Sequence, residues 1–250
     1  MSKHQREDGE LLKRISTIHQ SSRGLYGSPR VHDVLIGQGT RCSRKRVARL
    51  MREHSIRAKT ARRFRVTTRR AAGQENRCTD LVKRCFHVES RNHTWTSDIT
   101  YLWTREGWLY LAVVMDLYSR RVVGWELSNR LTTEFVTSAL QRAIETRRVA
   151  AELVLHSDRG CQYTSVEMHM LAERYGIRQS FGFSCFDNAV TESFFHTLKT
   201  EHTRFETFET RQQARNSLFD YIEIFYNRQR KHSTLNMKSP VQFEEQNLST

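Results

Sequence analysis

Residues 93–128 read HTWTSDITYLWTREGWLYLAVVMDLYSRRVVGWELS, and this stretch predicts three consecutive β-strands. The second, residues 107–119, is almost entirely apolar, so we expect it to be buried on both faces of a sheet. The third covers residues 120–128. The first has large apolar residues at alternating positions, as a strand requires: Trp95, Ile99, Tyr101 and Trp103.

After these strands the chain alternates between helical and extended patterns. Two further strands read ELVLHSD (152–158) and IRQSF (177–181). Three strands followed by alternating helices and strands predict an α/β fold, a mixed sheet flanked by helices. The helices are expected at residues 132–148, 165–176, 187–201 and 209–230, the last with Leu218, Ile222 and Phe225 on its core face.

The first 60 residues predict short helices only. The segment CSRKRVARLMREHSI (42–56) has Ser43 as a helix N-cap and places Val47, Leu50 and Met51 on one face. A helix, a glycine-containing turn and a basic helix are the outline of a helix-turn-helix DNA reader, although many small helical hairpins share it. We therefore predict a small all-α, helix-turn-helix-like domain in front of the mixed sheet.

The formal net charge of the chain is +14, and almost all of the excess lies in one segment. Residues 41–70 contain 13 Lys or Arg and one acid, whereas the other 220 residues contain 28 bases and 26 acids. A segment this basic favours salt-sensitive binding to the phosphates of nucleic acid. A basic disordered tail is the alternative, and binding to acidic lipid is disfavoured because large apolar residues are scarce there.

Nothing in the sequence predicts export or a membrane partner. No apolar run approaches the roughly 20 residues that cross a bilayer. Residues 1–10 lack an apolar signal-peptide stretch. The five cysteines are scattered without a CxxC pair, which is typical of free thiols in a reducing compartment. We therefore expect a cytoplasmic protein.

Three acids stand where the predicted strands and helices change over. Asp98 lies within the first strand, Asp158 ends the fourth, and Glu192 lies on the helix after the fifth. If the first and fourth strands are neighbours, the three carboxylates converge. Such a group suits two divalent cations, which activate an attacking oxygen and stabilise the leaving oxygen in phosphoryl transfer. Each acid alone says little, because a lone Asp in a strand is usually structural and a lone Glu on a helix is usually solvated.

Five motifs together resemble bacterial insertion-sequence transposases: WTSDITYL (95–102), LYLAVVMDLYSRRVVGW (109–125), LHSDRGCQYTS (155–165), DNAVTESFFHTLKTE (187–201) and YIEIFYNRQRKHSTLNMKSPVQFE (221–244). More closely, they look like the second-reading-frame (OrfB-type) product of the family that frameshifts between two overlapping frames. The resemblance runs from about Tyr26 to Phe243. It implies an RNase H-like core similar to retroviral integrases, with Asp98, Asp158 and Glu192 as the catalytic, metal-binding DDE triad.

The same resemblance implies a reaction, a cofactor and partners. Two Mg²⁺ ions, with Mn²⁺ as a substitute, would support cleavage of a phosphodiester by water and then attack of the freed 3′-OH on a second phosphodiester. The implied partners are the element's terminal repeats, target DNA, and the first-reading-frame product as a partner or fusion. Further copies of this chain are expected on the DNA, in the nucleoid of a bacterial cytoplasm.

On this basis we divide the chain into four parts: a helix-turn-helix-like DNA-binding domain (1–60), a basic linker (61–92), the catalytic core (93–203), and a C-terminal helix and tail packed on the core (204–250). Lys199 follows Glu192 by two turns on the same helix face, and the resemblance places it near the DNA end. The basic helix is expected to contact mainly phosphates. The expected DNA-binding residues are Arg44, Lys45, Arg46, Arg49, Arg52 and Lys199.

Four other positions follow from the match. Asn188 lies one turn before Glu192 on the same helix face, and Gln162 and Tyr163 are expected to touch the substrate. Asp116 matches a recurrent acid of the family, but it lies on a core strand, so we interpret it as structural.

Two other functions stay open. Asp158 and Glu192 are separated by 33 residues, and the resembled family commonly has a slightly longer loop before the glutamate. A short loop that misplaces the catalytic helix would leave an inactive DNA-binding remnant or a regulator of the element. A plain RNase H-like nuclease, which cuts without joining, is the other alternative, although it needs no end-recognition domain.

Overall fold

The computed structural model describes residues 3–59, 80–82, 88–147, 149, 152–182 and 188–247. Its chain forms two compact units. The first combines Met1–Arg65 with Arg230–Met237, and the second combines Val66–Gln229 with Lys238–Thr250.

The first unit is helical, as predicted, and its helices are α1 (Lys3–Ser21), α2 (Ser28–Gly37) and α3 (Arg44–Glu53). In α3, the Ser43 side chain accepts a hydrogen bond from the backbone N–H of Arg46 at 3.1 Å, which confirms the predicted N-cap. The apolar face of this basic helix is its packing face, because its buried residues are Val47, Leu50 and Met51.

A return of the chain late in the sequence completes this unit. The backbone N–H of Lys231 donates to the hydroxyl of Tyr26 at 3.0 Å, and its ammonium lies 2.6 Å from Asp33. The short 3₁₀ turn Ser233–Leu235 follows, with Leu235 buried. Residues far apart in sequence are therefore held together by one lysine.

The second unit is built on a mixed five-stranded sheet, which confirms the predicted fold class. The strand order is β3-β2-β1-β4-β5. The β1–β2 and β2–β3 pairs are antiparallel, whereas β4 is parallel to both β1 and β5. The strands are β1 (Thr94–Thr104), β2 (Gly107–Asp116), β3 (Val122–Ser128), β4 (Val154–Ser157) and β5 (Arg178–Phe181).

Helices cover both faces of this sheet. The helices are α4 (Thr133–Thr146), α5 (Val166–Arg174), α6 (Ala189–Glu201), α7 (Arg211–Phe219) and α8 (Pro240–Gln246). Trp95 packs into a core with α4 and α5, whereas the next residue, Thr96, hydrogen-bonds Thr191 of α6 at 2.6 Å. Because successive side chains of a strand point to opposite faces, α4 and α5 lie on one face and α6 on the other.

The helix predicted at 209–230 is α7 followed by a π-helical segment, Asp220–Tyr226. Its core face is as predicted, because Leu218, Ile222 and Phe225 are all buried.

Close contact between β3 and α4 depends on one glycine. A Cβ on Gly124 would lie 2.7 Å from both the Cβ and the backbone nitrogen of Ala143, and it would also meet the carbonyl of Ala139. Small residues on both sides therefore let the helix approach the sheet, in a core packed too densely for an extra methyl group.

Part of the predicted linker 61–92 lies against the sheet unit, and most of it lies outside the described residues. The backbone N–H of Leu81 donates to Ser180 at 2.9 Å, and Val82 packs with Leu117 and Val154. Asn92 is buried, and its N–H donates to Asp116 at 2.9 Å.

A buried ion network joins Asp116 to the C-terminal helix. The guanidinium of Arg147 lies 3.1 Å from Asp116 and also donates to Glu244 of α8, at 2.8 Å through Nη1. Ser119 and Arg121 donate to the same carboxylate at 2.7 and 2.8 Å. Burial tends to raise the pKa of Glu244, but the hydrogen bonds and charge of Arg147, with these donors, lower it to about 2.

Burial instead raises the pKa of Asp116, against two backbone N–H donors and the charge of Arg147. The carboxylate of Asp116 therefore has hydrogen-bond donors and a counter-charge within the fold.

We expect Glu244→Gln to lower the free energy of unfolding by about 3 kcal/mol at neutral pH, because it leaves Arg147 without its main counter-charge. The pKa of Glu244 is depressed on folding, so its stabilisation is present above the ordinary value of 4.5 and lost as the pH falls toward about 2. Urea unfolding at several pH values should therefore show the two proteins converging in acid.

Glu245→Gln, at the exposed neighbouring position, is the matched control and should change stability little. A loss for Glu244→Gln that is the same at pH 3 as at pH 7 would contradict this account of the network.

Candidate active site

Strand pairing brings Asp98 and Asp158 to the same level of the sheet. In the parallel β1–β4 pair, Thr94 is opposite Val154 and Thr96 is opposite His156. Continuing that register by two residues places Asp98 opposite Asp158, which directly follows the last residue of β4. The first and fourth strands are therefore neighbours, as the convergence of the acids requires.

The loop after β4 folds back on the Asp158 carboxylate. The backbone N–H of Gly160 donates to Asp158 Oδ1 at 2.9 Å. A Cβ on Gly160 would lie 3.0 Å from that oxygen and 3.3 Å from the side-chain oxygen of Gln162. The glycine therefore permits a tight turn around a carboxylate that itself stays exposed.

Glu192 lies in the first turn of α6 and is exposed. The helix begins at Ala189, with Asn188 in the N-cap position. Asn188 makes no side-chain cap hydrogen bond; its amide instead donates to the carbonyl of Ser97 at 3.0 Å. The prediction that Asn188 shares the helix face of Glu192 is therefore wrong, because Asn188 is buried against β1.

A second link between α6 and β1 involves Thr191, the residue just before Glu192. Its hydroxyl lies 2.6 Å from the hydroxyl of Thr96 and 3.1 Å from the side-chain oxygen of Asn188. All three side chains are buried. These hydrogen bonds fix the start of α6 beside the strand that carries Asp98, so they position Glu192 relative to Asp98.

The three acids influence one another electrostatically. Burial is the main cause of a pKa of about 7 for Asp98; the hydrogen bond from the N–H of Ile99, at 2.7 Å, opposes the rise. The negative charges of Asp158 and Glu192 raise this pKa further, and Lys199 opposes them. Glu192 is exposed by its surface area, but neighbouring protein atoms remove part of its water, and this partial desolvation raises its pKa. Removal from water is therefore the main cause of both shifts, and the negative charges of the neighbouring acids add to it at Asp98.

The carboxylates are not arranged as a closed metal cage. Within the described part of the chain, no three His, Cys, Asp or Glu side chains are grouped closely enough to hold an ion together. The donor set nevertheless suits Mg²⁺, which prefers carboxylate oxygens and keeps water and substrate phosphate as further ligands.

Tyr163 is a buried residue that contacts the neighbour of Asp98. It is fully buried, and its hydroxyl lies 2.9 Å from that of Ser97, the neighbour of Asp98. Burial raises its pKa well above the ordinary value, with the charge of Asp98 adding to the rise. The prediction that Tyr163 touches the substrate is therefore wrong, whereas Gln162 is half-buried in the same turn.

Lys199 lies near the carboxylates, on α6. Lys199 is exposed by its surface area, but nearby protein atoms desolvate it in part, which lowers its pKa, and the charge of Asp98 opposes that change. Its ammonium lies 5.1 Å from the ring centroid of Tyr101, three residues beyond Asp98 on β1. His196, on the same helix, is exposed.

The five basic side chains predicted to bind DNA from the helical unit, all on α3, fall into two groups. Arg46 and Arg49 both pair with Asp8 of α1, each at 2.6 Å. The other three do not pair with Asp8 and are exposed: Arg44, Lys45 and Arg52. Arg49 is exposed as well, in spite of its ion pair. The sequence does not predict this role of Asp8, because a single acid on one helix does not indicate that basic residues of another helix will pair with it.

Comparisons with known proteins agree with this architecture. An HTH-like domain family matches residues 5–64, and integrase core domain families match residues 88–183 and 192–248. One similar structure is a chain of a simian T-cell lymphotropic virus intasome, solved with PP2A regulatory subunit B56 gamma. It is 17% identical with a TM-score of 0.53, and the match covers 92% of this chain and 74% of the intasome chain. The HTLV-2 integrase catalytic core domain, solved with magnesium, is 18% identical with a TM-score of 0.47, covering 61% and 96%. The class defined by fold and family is thus an integrase-type core preceded by a helix-turn-helix-like domain.

Transposase InsF for insertion sequence IS3A of Escherichia coli (strain K12) is 43% identical over 233 residues, 91% of this chain and 80% of the relative. The Insertion element IS600 uncharacterized 31 kDa protein of Shigella sonnei is 37% identical over 246 residues, 98% of this chain and 90% of the relative. The chain belongs to the IS3 family of insertion-sequence transposases, as an InsF-like (OrfB-type) member. Among the described helices, none has the length and apolar character to cross a membrane.

We expect Thr191→Val to cost about 1–3 kcal/mol of unfolding free energy, because Thr96 and Asn188 would lose a buried partner without a change in side-chain volume. DNA cutting should fall as well, since a displacement near 1 Å of a catalytic group can cost on the order of 100-fold in rate. Thr197→Val, on the less buried part of the same helix, is the matched control for urea unfolding and activity. Equal behaviour of the two variants would show that Thr191 does not position α6.

Proposed function

We propose that this chain is the catalytic subunit of insertion-sequence transposition, and that it cuts and then joins DNA strands at the element's ends. The observation that supports the proposal is the parallel β1–β4 pairing, whose register, continued two residues past its last pair, brings Asp98 level with Asp158. The charge of Glu192 also acts on Asp98. Membership of the transposase family supports DNA as the substrate.

Asp98, Asp158 and Glu192 are the residues that would hold Mg²⁺, or Mn²⁺ in its place. Two bound ions would supply a Lewis acid for the leaving oxygen and an activated attacking oxygen. The charges of both other carboxylates raise the pKa of Asp98, so a bound cation would relieve the repulsion at this acid. The N–H of Gly160 holds the carboxylate of Asp158 in place through its hydrogen bond.

The reaction has two displacements at phosphorus. In the first, a water oxygen forms a new bond to phosphorus, the bond to the 3′ oxygen breaks, and the freed strand end gains a proton as a 3′-OH. In the second, that 3′-OH attacks another phosphodiester, loses its proton, and displaces the 3′ oxygen of the attacked strand, which takes up a proton. The chain's own contribution is to place the strand, and Lys199, beside Asp98, is suited to hold a phosphate of the DNA end.

The helical unit is suited to hold the duplex. Phosphate contacts would come from three exposed basic residues, Arg44, Lys45 and Arg52. To contact phosphate, Arg46 and Arg49 would have to break or share their ion pairs with Asp8. We assign residues 1–60 to DNA binding, 61–92 to a linker, 93–203 to catalysis and 204–250 to support of the core. The terminal repeats, target DNA, the first-reading-frame product and further copies of this chain, all in the bacterial cytoplasm, complete the proposed assembly.

We expect Asp158→Asn and Glu192→Gln to reduce Mg²⁺-dependent cutting of an element end by more than about 100-fold, because each removes a charged ion ligand. Gel-shift affinity for the same DNA should stay near that of the wild type. Glu167→Gln, which removes an exposed acid of α5, is the control and should cut normally.

Cutting that survives in Asp158→Asn would overturn the catalytic assignment. Binding without cutting in the wild type would instead identify a regulator of the element, and cutting without joining would identify a nuclease.

We expect Lys45→Ala to weaken binding to any duplex sequence and to reduce the slope of log affinity against log salt by about 0.9 per lost phosphate contact. The matched control is Lys13→Ala, which removes the same charge from an exposed position of α1 in the same unit. Titrations of labelled duplex at several salt concentrations measure both slopes. A slope unchanged by Lys45→Ala, or equally reduced by Lys13→Ala, would exclude α3 as the phosphate-binding surface.

A further inference from the structure

Three large aromatic side chains are exposed together on the β1–β2 hairpin. Tyr101, Trp103 and Trp108 are 57%, 59% and 46% exposed, although each is large enough to contribute strongly to a core. Trp103 is directly opposite Trp108 in the strand pairing, so the three side chains share one face of the hairpin. We call these three residues the aromatic platform. An exposed apolar cluster of this kind commonly marks a binding surface.

The rings meet edge to face rather than in a parallel stack. The ring centroids of Tyr101 and Trp108 are 5.2 Å apart with an interplanar angle of 89°, and those of Trp103 and Trp108 are 4.9 Å apart at 76°. In this arrangement the rings do not cover one another's flat faces as a parallel stack would. The exposed fractions of the three side chains show that aromatic surface remains accessible to a planar ligand group.

The platform lies beside the candidate active site. Tyr101 is three residues, or about 10 Å, beyond Asp98 on the extended strand, and its side chain points to the opposite face of the sheet, so the platform approaches the carboxylates around the edge of β1. Beyond Thr96, the described part of β4 no longer pairs with β1; Asn188 then donates to the carbonyl of Ser97, and Phe208 bridges to Thr104, so between these two contacts no described strand pairs with this edge. Lys199 contacts the ring of Tyr101 at 5.1 Å and also lowers the pKa of Asp98. One lysine therefore links the platform to the acids.

A groove of about 410 Å³ runs along the platform, and it is bordered by charge. Arg105, which pairs with Glu209 at 3.2 Å, and Lys199 supply cations; Glu206 supplies an acid. Aromatic faces next to cations are the composition of surfaces that bind single-stranded nucleic acid, because every base has a flat face to stack. Lys199, which also acts on Asp98, borders this groove, and this favours nucleic acid over a protein partner.

We propose that the aromatic platform stacks unpaired nucleotides of the DNA end that is held at Asp98, Asp158 and Glu192. This inference rests on the proposed function, since it takes DNA as the ligand of the neighbouring carboxylates. Stacking there holds a separated strand away from the strand that reacts. The ligand class is the unpaired base, without preference for its identity.

The test compares the full chain with Trp103→Leu, which removes the ring, and Trp103→Phe, which keeps one. All proteins also carry Asp158→Asn, so that the DNA stays intact. The probes are a blunt duplex and the same duplex with a short single-stranded overhang containing 2-aminopurine, whose fluorescence falls on stacking. Phe219→Leu, an equally exposed aromatic position outside the platform, is the control for loss of an exposed ring.

We expect the chain with intact platform to bind the overhang duplex more tightly than the blunt one and to quench 2-aminopurine. Trp103→Leu should lose at least about fivefold of that affinity, with blunt-duplex binding unchanged, while Trp103→Phe retains most of it. An overhang preference that persists in Trp103→Leu, or is absent from the start, overturns the proposal. If Trp103→Leu changes the sedimentation coefficient of the protein but not its affinity for DNA, the proposal is also overturned, and the platform is a protein interface instead.

The proposed function fails separately. If the chain without Asp158→Asn cuts no DNA while the overhang is still bound and quenched, the platform stands and the catalytic proposal falls. If that chain cuts normally but shows no overhang preference, the catalytic proposal stands and the platform falls.

Discussion

The pairing of β1 with its two neighbours is the constraint on which the sheet unit depends. Along one edge, β1 is antiparallel to β2 from Trp95 to Thr104; along the other, among the described residues, β4 pairs with Thr94–Thr96 alone. The long pairing fixes β1 in the sheet, and past the short one no described strand pairs with β1 at Asp98. A longer β4 would extend the ladder past the acids, and no pairing would leave Asp158 without a fixed position. The proposed cutting chemistry and the groove beside it both use this same edge.

Asp116 and Asp98 are both acids on strands of this unit, and their surroundings distinguish a structural residue from a candidate catalytic one. Asp116 accepts two backbone N–H bonds and faces Arg147, so its charge is compensated within the fold. Burial raises the pKa of both acids, but from the part of the chain that the structure describes Asp98 accepts only the backbone N–H of Ile99, and the negative charges of Asp158 and Glu192 add to the rise, which reaches about 7. An uncompensated charge of this kind is costly to bury and is characteristic of sites that bind cations or move protons. The sequence alone marks both residues only as acids on strands.

The parts of the fold that local rules govern were predictable. Alternation at Trp95–Trp103 indicated β1, and the apolar run indicated the buried β2; Ser43 was correctly predicted to cap α3, because an N-cap depends on neighbours along the chain. Asn188 and Tyr163 were misjudged for the opposite reason. Both appear polar and close in sequence to the acids, yet tertiary packing turns them inward to Ser97. The exposure of Tyr101 and Trp103 was not predictable either. An alternating pattern indicates a strand, but it does not show how far along the strand the helices cover each face.

A strand-transfer assay tests the central claim most directly. It combines a labelled DNA end from the flanking element, Mg²⁺ and this chain with its first-reading-frame partner, beside Glu192→Gln. The account predicts joined product from the wild type and none from the variant, because Glu192 has to complete the carboxylate group with Asp98 and Asp158. Intact DNA binding without joined product in the wild type, or equal joining by both proteins, would contradict it.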